Sequence, residues 1–364
     1  MPAKSLPVRI LYRIFVSVTL LVVGLIVSIP AVLRVLFRVI RKPFKAFSRK
    51  ARPFPPSVYL NPALGKHECA SVNGIQLYYV AAGSPDKPLM LFLHGWPECW
   101  YSWRYQLKYE QFREKYRVVA VDLRGFGRSS KPSYFPGAYH RETIAEDIHL
   151  FIRALGYDSC VLVGHDWGSN IAFTVARHYP ESVSRLIAMN VPEDRIFQSF
   201  CRANPSQLVS SLYMAFFQVP FLPEFLLSLF DYGFITSAFT KPPGGLINKD
   251  RISADDLEVY KWNVGMHRTL TSSLNYYRNI PAMLAPITLG QRKPTRRYAM
   301  PTLVLWGESD SAVDSRMAKE HEECTFFDDV MARVIPSASH WLPQDQPDVV
   351  NQLMLTWLTS KEGK

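Results

Sequence analysis

The chain has 364 residues, of which 48% are hydrophobic, so it is long and apolar enough to bury a large core in one α/β domain or in two or three smaller domains. The formal net charge of +11 belongs to the N-terminal segment, because residues 1–52 hold 11 Lys and Arg and no acid, and the remainder holds 31 basic and 31 acidic residues. A basic stretch at one end beside an apolar run favours anionic lipid over nucleic acid as a partner. The five cysteines are scattered without a CxxC pair, which argues against a disulfide framework and a zinc site and fits the reducing cytosol.

The N-terminal segment predicts a membrane anchor. Residues 14–33 are 20 consecutive uncharged residues, which as a helix would span about 30 Å, the thickness of a hydrocarbon core. Eight basic side chains follow this run and three precede it, so the positive-inside rule places the C-terminal side in the cytosol. We therefore expect residues 1–52 to form a single-pass anchor with a basic juxtamembrane segment, in the endoplasmic reticulum membrane. A cleaved signal peptide, or a tilted or interfacial helix bent near Pro30, are the alternatives.

After a proline-rich linker at residues 53–56, strand-like apolar runs alternate with helix-length patterns, which is typical of a mostly parallel sheet covered on both faces. Residues 75–81 alternate as an antiparallel strand does, and five further runs read as buried parallel strands: residues 89–93, 118–121, 160–163, 186–189 and 302–305. Between residues 192 and 290 the pattern turns helical. The sequence thus predicts a core of residues 53–191 and 291–364, with a helical lid of residues 192–290 inserted after the sixth strand. Ligands bind beyond the carboxyl ends of such strands, where His94, Asp122, Asp166 and Asp310 stand.

The strongest local motif is Gly164-His-Asp-Trp-Gly168, which follows an apolar strand and precedes a helix from about Asn170. This glycine spacing is that of a nucleophile elbow, a strained turn that lifts its middle side chain above the sheet. Here the middle residue is Asp166. An ionised carboxylate can displace a leaving group from a saturated carbon and form an alkyl ester, which water must then hydrolyse with a general base and an oxyanion hole.

The base is predicted at His340, in Ser337-Ala-Ser-His-Trp341, and Asp310 after the seventh strand can orient its imidazole. The order nucleophile, acid, histidine is the one that such folds require. Three acids rival Asp310 for the orienting role: Glu308 two residues away, and Glu193 and Asp194 after the sixth strand.

The oxyanion hole is predicted from two backbone N–H groups, those of Trp96 and Trp167, whose side chains would also line a pocket. His94 and His165 lie on the strand side of their turns and are interpreted as structural histidines. Asp122 and Arg124 are expected to pair with neighbouring loops and not to meet a substrate.

Taken together, the motifs resemble those of the α/β-hydrolase epoxide hydrolases across residues 60–360. Because the chain also has a predicted N-terminal anchor, it looks most like the branch of that family formed by the membrane-anchored epoxide hydrolases 3 and 4. The motifs that carry the resemblance are His94-Gly-Trp-Pro-Glu98, Ser102-Trp-Arg-Tyr-Gln106, Asp122-Leu-Arg-Gly-Phe-Gly-Arg-Ser129, Gly164-His-Asp-Trp-Gly168 and Ala338-Ser-His-Trp341. It implies an α/β-hydrolase fold with a helical lid and the hydrolysis of epoxides to vicinal diols, with water as co-substrate.

The resemblance also implies two lid tyrosines that hold the epoxide oxygen, and it matches them to Tyr213 and Tyr277, with Tyr276 as the neighbour most easily mistaken for the second. A phenol suits this task because its ordinary pKa near 10 lets it donate a proton to a developing alkoxide without charging the site. One departure from the family pattern is Trp96, which stands where Phe is usual and would narrow the pocket.

Two other readings remain open. A haloalkane dehalogenase shares the fold and the aspartate nucleophile, and Trp96 and Trp167 could cradle a halide, but it has no use for two phenols. A catalytically silent scaffold of the same fold is the second, since a fold alone does not prove activity. No metal constellation or phosphate loop is visible, so the sequence predicts no cofactor. The apolar lid and the anchor lead us to expect a lipophilic epoxide of the fatty-acid type.

Overall fold

The computed structural model of the chain describes residues 6–133, 137–281 and 297–361. Eight strands form one sheet in the order β1-β2-β4-β3-β5-β6-β7-β8, in which β2 pairs antiparallel with β1 and β4 and every other neighbouring pair is parallel. The strands are β1 (Lys66–Val72), β2 (Ile75–Ala82), β3 (Leu89–Leu93), β4 (Arg117–Val121), β5 (Cys160–His165), β6 (Val183–Met189), β7 (Thr302–Gly307) and β8 (Val330–Ile335).

Helices precede the sheet, cover it and form the segment between β6 and β7. The N-terminal pair is α1 (Leu6–Arg41) and α2 (Pro43–Phe47); the helices up to β6 are α3 (Arg104–Lys108), α4 (Glu110–Lys115), α5 (Arg141–Ala154) and α6 (Trp167–His178). Between β6 and β7 lie α7 (Asp194–Ala203), α8 (Pro205–Ser210), α9 (Leu212–Phe216), α10 (Leu222–Thr240), α11 (Ala254–Gly265) and α12 (Thr269–Arg278). The last three are α13 (Met317–Glu323), α14 (Leu342–Asp345) and α15 (Pro347–Ser360), and short 3-10 turns occur at Ser57–Leu60, Pro62–Leu64, Trp100–Trp103, Pro180–Ser182 and Lys249–Arg251.

The sheet is buried on both faces, which explains why its central strands are apolar at nearly every position. Along β3, Leu91 packs into the core beneath α5 and α6, whereas its neighbour Phe92 packs into the opposite core with Trp103 and residues of α15. Every residue of β3, β5 and β7 is buried. Because the parallel strands run in one direction, the turns that follow β3, β5, β6 and β7 lie at one edge of the sheet.

The predicted fold class is confirmed: the sheet is mostly parallel, and the described chain between β6 and β7 is helical. All six strands predicted by range are present, with five of them extended by one to three residues. The strand numbering leaves room for one strand before residues 75–81, but no range was predicted for it, because residues 66–72 are mostly half-exposed or exposed and carry no clear apolar alternation. Helix α6 begins at Trp167, three residues earlier than expected. The predicted lid boundary at residues 290 and 291 lies outside the described residues.

Helix α1 makes the N-terminal segment a candidate membrane anchor, because by length and composition it can cross a bilayer. It continues through Pro30 and packs on the segment that contains α9. Helix α10 of that segment is broken in its middle, where Phe230, Asp231 and Tyr232 have positive φ.

Candidate active site

Asp166 stands on the turn between β5 and α6 with φ 52° and ψ −120°, a strained conformation for a residue other than glycine. The two flanking glycines make this turn sterically possible. A Cβ at Gly164 would lie 2.4 Å from the carbonyl oxygen of Gly168, and one at Gly168 would lie 2.0 Å from that of Leu93. The glycine spacing of the motif is therefore required by the close approach of three backbone segments.

The two carboxylate oxygens of Asp166 have different neighbours. The backbone N–H of Trp96 donates a hydrogen bond of 2.8 Å to Oδ1, whereas Oδ2 lies 3.5 Å from Nε2 of His340. Gly95 leaves room for this arrangement, since a Cβ there would come within 2.5 Å of Asp166. One oxygen is thus held by an amide and the other faces the imidazole.

His340 and Asp310 form the expected pair, with Nδ1 of the imidazole 2.8 Å from Oδ2 of the carboxylate. The Asp310 side chain is fully buried and accepts three more hydrogen bonds, from the backbone N–H groups of Ala312 and Val313 and from the side-chain amide of Asn190. Asn190 follows β6 with φ 60°, a conformation that asparagine tolerates better than most residues. The sequence analysis missed Asn190, although its position directly after a buried strand was a usable signal.

The carboxylates and the imidazole shift one another's pKa values. Burial opposes protonation of His340, but the charge of Asp310 and hydrogen bonds with both carboxylates outweigh it and hold the pKa of His340 well above its usual value. Burial likewise opposes ionisation of Asp166, and the hydrogen bond and charge of His340 still lower the pKa of Asp166. The two shifts together favour an ionised Asp166 beside a protonated His340.

The rival acids lie in other interactions. Glu193 is buried in an ion pair with Arg195, and Asp194 contacts Arg141 and the side-chain amide of Asn170. The exposed Glu308 accepts a hydrogen bond from the backbone of Ser337. Asp310 is the acid that the structure brings to His340.

Trp96 and Trp167 flank Asp166. Besides the Trp96 amide, the amide of Trp167 begins α6, where a backbone N–H has no partner within the helix. The indole N–H of Trp96 donates to the hydroxyl of Ser273 at 3.1 Å, and the ring of Trp167 meets that of Tyr277 edge to face with centroids 5.0 Å apart. The indole N–H of Trp96 is therefore already engaged by the protein.

The expected tyrosines lie together above Asp166. The rings of Tyr213 and Tyr277 meet edge to face with centroids 5.9 Å apart. Burial, with the charge of Asp166 among the further causes, raises the pKa of both phenols well above 10, so both keep their protons. Tyr276 differs, because its hydroxyl donates to the backbone carbonyl of Arg124 at 2.7 Å. Of the two neighbours, Tyr277 is the one that faces the site.

The buried carboxylate of Glu98 connects the loop after β3, which contributes the Trp96 amide, with the loop after β8, which carries His340. It accepts a hydrogen bond from the backbone N–H of Gly95 and lies 2.9 Å from Nδ1 of His165, whose Nε2 is 2.7 Å from the backbone carbonyl of His340. His94 receives the backbone N–H of Leu123 at 3.1 Å. Both histidines therefore hold loops in place, as interpreted from the sequence, and Glu98 is a positioning residue that the sequence analysis did not single out.

Asp122 and Arg124 also contact loops and other helices. Asp122 accepts hydrogen bonds from the backbone N–H groups of Trp100 and Arg128, and Arg124 forms a two-pronged ion pair with Asp147 of α5. These contacts agree with their interpretation as structural residues.

A cavity opens at Asp166 and encloses about 820 Å³ of space, part of it continuous with solvent. Apolar side chains dominate its wall, and its polar members include the paired Arg141 and Asp194; the apolar set is Val191, Phe197, Met214, Ile280 and Val313. The pocket therefore favours a lipophilic ligand beside a carboxylate.

A mostly parallel sheet with an acid on the strained turn after β5 and a histidine after β8 defines an α/β hydrolase. The family model for the alpha/beta hydrolase fold matches residues 88–347 of the chain. Curated relatives narrow the class. The chain is 38% identical to epoxide hydrolase 4 of Homo sapiens over 100% of its own length and 98% of the relative's, and 40% identical to epoxide hydrolase 3 of Xenopus tropicalis over 91% and 87%.

A solved structure agrees. A crystal structure of Bacillus megaterium epoxide hydrolase in complex with an inhibitor superposes with a TM-score of 0.70 and 31% identity, covering 80% of this chain and 100% of that one. The chain belongs to the epoxide hydrolases of the α/β-hydrolase fold family, and it is an enzyme that hydrolyses epoxides.

Proposed function

We propose that this epoxide hydrolase acts through an alkyl ester on Asp166. In the first step Oδ2 of Asp166 attacks an epoxide carbon, the C–O bond of the ring breaks, and Tyr213 and Tyr277 donate to the departing oxygen. The observation that carries this proposal is the pair of unlike contacts at Asp166: Oδ1 accepts the Trp96 N–H at 2.8 Å, while Oδ2 faces Nε2 of His340 at 3.5 Å.

In the second step His340 takes a proton from water, and the resulting hydroxide attacks Cγ of Asp166. Negative charge then develops on Oδ1, where the amide of Trp96 already donates and the amide of Trp167 is adjacent. Collapse of this intermediate breaks the ester bond and releases the vicinal diol, while Asp310 stabilises the imidazolium.

The charge of Asp166 regulates the base. While the carboxylate is ionised it helps to keep His340 protonated, and a protonated imidazole cannot accept a proton from water. Ester formation removes that charge and lowers the pKa of His340. The imidazolium proton then passes through the phenols to the opened epoxide oxygen, which leaves both phenols protonated and His340 neutral, as the general base of the second step.

The substrate proposed is a lipophilic epoxide of the fatty-acid type, because the wall of the cavity is largely apolar. A panel of lipid epoxides and styrene-type oxides, assayed with the full chain, tests this class. A higher kcat/KM for the lipid set is expected, and equal values would contradict it.

The two other readings are less well supported. A dehalogenase needs halide donors at this position, and the indole N–H of Trp96 already donates to Ser273, while the paired phenols of Tyr213 and Tyr277 have no role in halide binding. A silent scaffold does not explain why three charged residues are assembled within hydrogen-bonding range in a buried site.

For localisation, we propose that α1 binds the enzyme to the endoplasmic reticulum membrane with the catalytic residues on the cytosolic side. The excess of Lys and Arg beside the apolar run supports the cytosolic side, because the cytoplasmic leaflet carries anionic lipid that attracts basic segments.

Replacement of the nucleophile tests the proposal. Asp166→Ala is expected to abolish diol formation, and Asp158→Ala, which removes a carboxylate that is 96% exposed, is expected to keep it. Unchanged diol formation in Asp166→Ala would refute the covalent route.

A further inference from the structure

Helix α1 contacts the catalytic body at both of its ends and in its middle. Near the N-terminal end, Nη2 of Arg13 lies 3.3 Å from Nε2 of His140, and near the other end the guanidinium of Arg38 lies 4.4 Å above the ring of Phe230. In the middle, a Cβ at Gly24 would fall 2.1 Å from the carbonyl oxygen of Ala215 in α9. Since 25 residues of helix extend roughly 37 Å, α1 lies lengthwise along the body.

The chain after α1 reinforces this docking. The side chain of Arg52 is 9% exposed and makes a two-pronged ion pair with Asp231, and it also bonds Glu258. Its neighbour Lys50 contacts the same Glu258 at 3.0 Å. The segment that leaves α1 is therefore tied to α10 and α11, so both ends of α1 remain beside one body.

Lengthwise docking conflicts with a helix that crosses a bilayer. A crossing helix holds its ends on opposite sides of about 30 Å of hydrocarbon, so the body at its flank would have to enter that hydrocarbon. The body at Arg13 carries ionisable groups, because His140 precedes the partly buried ion pair of Arg141 and Glu142 at the start of α5. Moving such groups into hydrocarbon is unfavourable.

The part of α1 that points away from the body is mostly apolar, with basic side chains toward its C-terminal end. Six of its side chains are at least 60% exposed: Leu11, Phe15, Ile26, Leu33, Phe37 and Ile40. A continuous exposed face of this kind needs a partner, because soluble surfaces rarely expose contiguous apolar patches of this extent.

The helical segment beside α1 adds to this face. Val219 approaches within 3.2 Å of the position of a Cβ on Gly24, and the chain on either side of that contact exposes large apolar side chains: Leu208, Val209, Phe221 and Phe225. Phe221, with φ 64°, is 84% exposed. We call the exposed face of α1 together with these four residues the apolar platform.

The charge around the platform fits one occupant. Residues 1–52 carry 11 basic side chains and no acid, and Arg34, Arg41, Lys42 and Lys45 are exposed around the C-terminal end of α1. Basic side chains at the border of an apolar face match anionic lipid headgroups. A membrane leaflet combines the hydrocarbon and the negative charge that this surface requires.

We propose that α1 lies in the plane of the membrane and that the apolar platform inserts into the hydrocarbon of a single leaflet, so that both ends of α1 stay on the side of the catalytic body. The cavity then opens next to that leaflet, because Tyr213 and Met214 of its wall belong to α9, the helix on which Gly24 packs. Insertion does not depend on the proposed chemistry; delivery of a lipophilic epoxide from the leaflet rests on it.

The side on which the N-terminus lies tests the proposal directly. Full-length chain with one epitope tag at each terminus is expressed in cells, and sealed vesicles of that membrane are treated with protease. In-plane binding predicts that both tags are lost from intact vesicles. A crossing helix protects one tag until detergent is added, and that result would overturn the proposal.

Insertion of the lid is tested by a fluorophore on the platform. In the full chain with the exposed Cys69 replaced by Ser, Phe221→Cys carries an environment-sensitive dye, and Val349→Cys, at an exposed position on α15, is the matched control. Vesicles of phosphatidylcholine and phosphatidylserine should shift the emission of the dye at position 221 to the blue and leave position 349 unchanged. The proposal would be contradicted if the emission of the dye at position 221 did not shift. It would also be contradicted if the same shift occurred without vesicles, because a second copy of the chain would then cover the platform. Neither assay measures epoxide hydrolysis, so failure here is distinct from failure of the proposed chemistry.

Discussion

Nε2 of His340 lies 3.5 Å from Oδ2 of Asp166, and each of these two residues changes the proton affinity of the other. The pair is an ionised nucleophile beside a protonated base, which suits the first chemical step and blocks the second. Alkylation of Asp166 removes the negative charge beside His340 and thereby lowers the pKa of the imidazole. The order of the two steps is therefore built into the electrostatics of one contact.

This relationship predicts a difference in pH dependence between the two steps. The lowered pKa of Asp166 keeps the carboxylate ionised at acidic pH, so the rate of alkylation should stay constant as pH falls through the range near 4 in which ordinary carboxyl groups protonate. Hydrolysis of the ester needs neutral His340, and its rate should rise with pH through an apparent pKa lower than that of His340 in the free enzyme. Single-turnover kinetics and NMR titration of His340 measure these values. The proposed coupling between Asp166 and His340 would be contradicted by an alkylation rate that falls near pH 4. It would also be contradicted if the apparent pKa of ester hydrolysis equalled the pKa of His340 in the free enzyme.

Loss of either phenol should slow alkylation. Tyr213→Phe and Tyr277→Phe each remove a proton donor to the epoxide oxygen, and we expect the single-turnover alkylation rate to fall roughly 10²-fold in each. Tyr276→Phe is the control, because its hydroxyl bonds a backbone carbonyl away from Asp166, and it should keep the alkylation rate while losing some thermal stability. Equal loss in all three variants would show that bulk packing, and not proton donation, explains the effect.

The orienting acid is tested through the second step. Asp310→Asn removes the charge that stabilises imidazolium, so ester hydrolysis should slow by about 10²–10⁴-fold while alkylation changes less. Glu308→Gln alters an exposed acid two residues away and should leave both rates unchanged. Slower ester hydrolysis in Glu308→Gln, with unchanged rates in Asp310→Asn, would show that Glu308 is the acid that orients His340.

Docking of α1 on α9 predicts a position-dependent cost. Gly24→Leu places a side chain against the backbone of Ala215, where no space exists, and should lower the free energy of unfolding of the detergent-solubilised full chain by about 1–3 kcal/mol. Thr19→Leu introduces the same side chain on the exposed face of α1 and should cost little. Equal midpoints of thermal unfolding for the two variants would show that Gly24 does not contact the body.

The sequence predicted features that depend on local chemistry. A buried parallel strand followed by an acid with glycines on both sides predicts a sharp turn at the end of that strand. The position of Asp166 on this turn therefore followed from residues 160–168 alone. His340 and Asp310 followed from chain order, because parallel strands bring the turns after them to one edge of the sheet. The distances between these residues depend on the whole core and had no local signal.

Other features depend on tertiary contacts that sequence patterns do not encode. Glu98 looked like an ordinary member of a loop motif, and its link to His340 through His165 appears only when the loops after β3, β5 and β8 are packed together. The lengthwise docking of α1 depends on Gly24 facing Ala215, and the apolar run that contains Gly24 is equally compatible with a crossing helix. Tyr213 and Tyr277 were inferred from family resemblance, because among 18 tyrosines no spacing rule distinguishes them.

The covalent ester on Asp166 is tested most directly by trapping it. His340→Gln removes the base for the second step and leaves the nucleophile, so mixing this variant of the full chain with an epoxide, followed by digestion and mass spectrometry, should reveal the mass of the substrate added to the peptide that contains Asp166. The same treatment of His340→Gln/Asp166→Ala should give no adduct. An unmodified Asp166 peptide after the epoxide is supplied, with an adduct formed from a bromoalkane instead, would contradict the account.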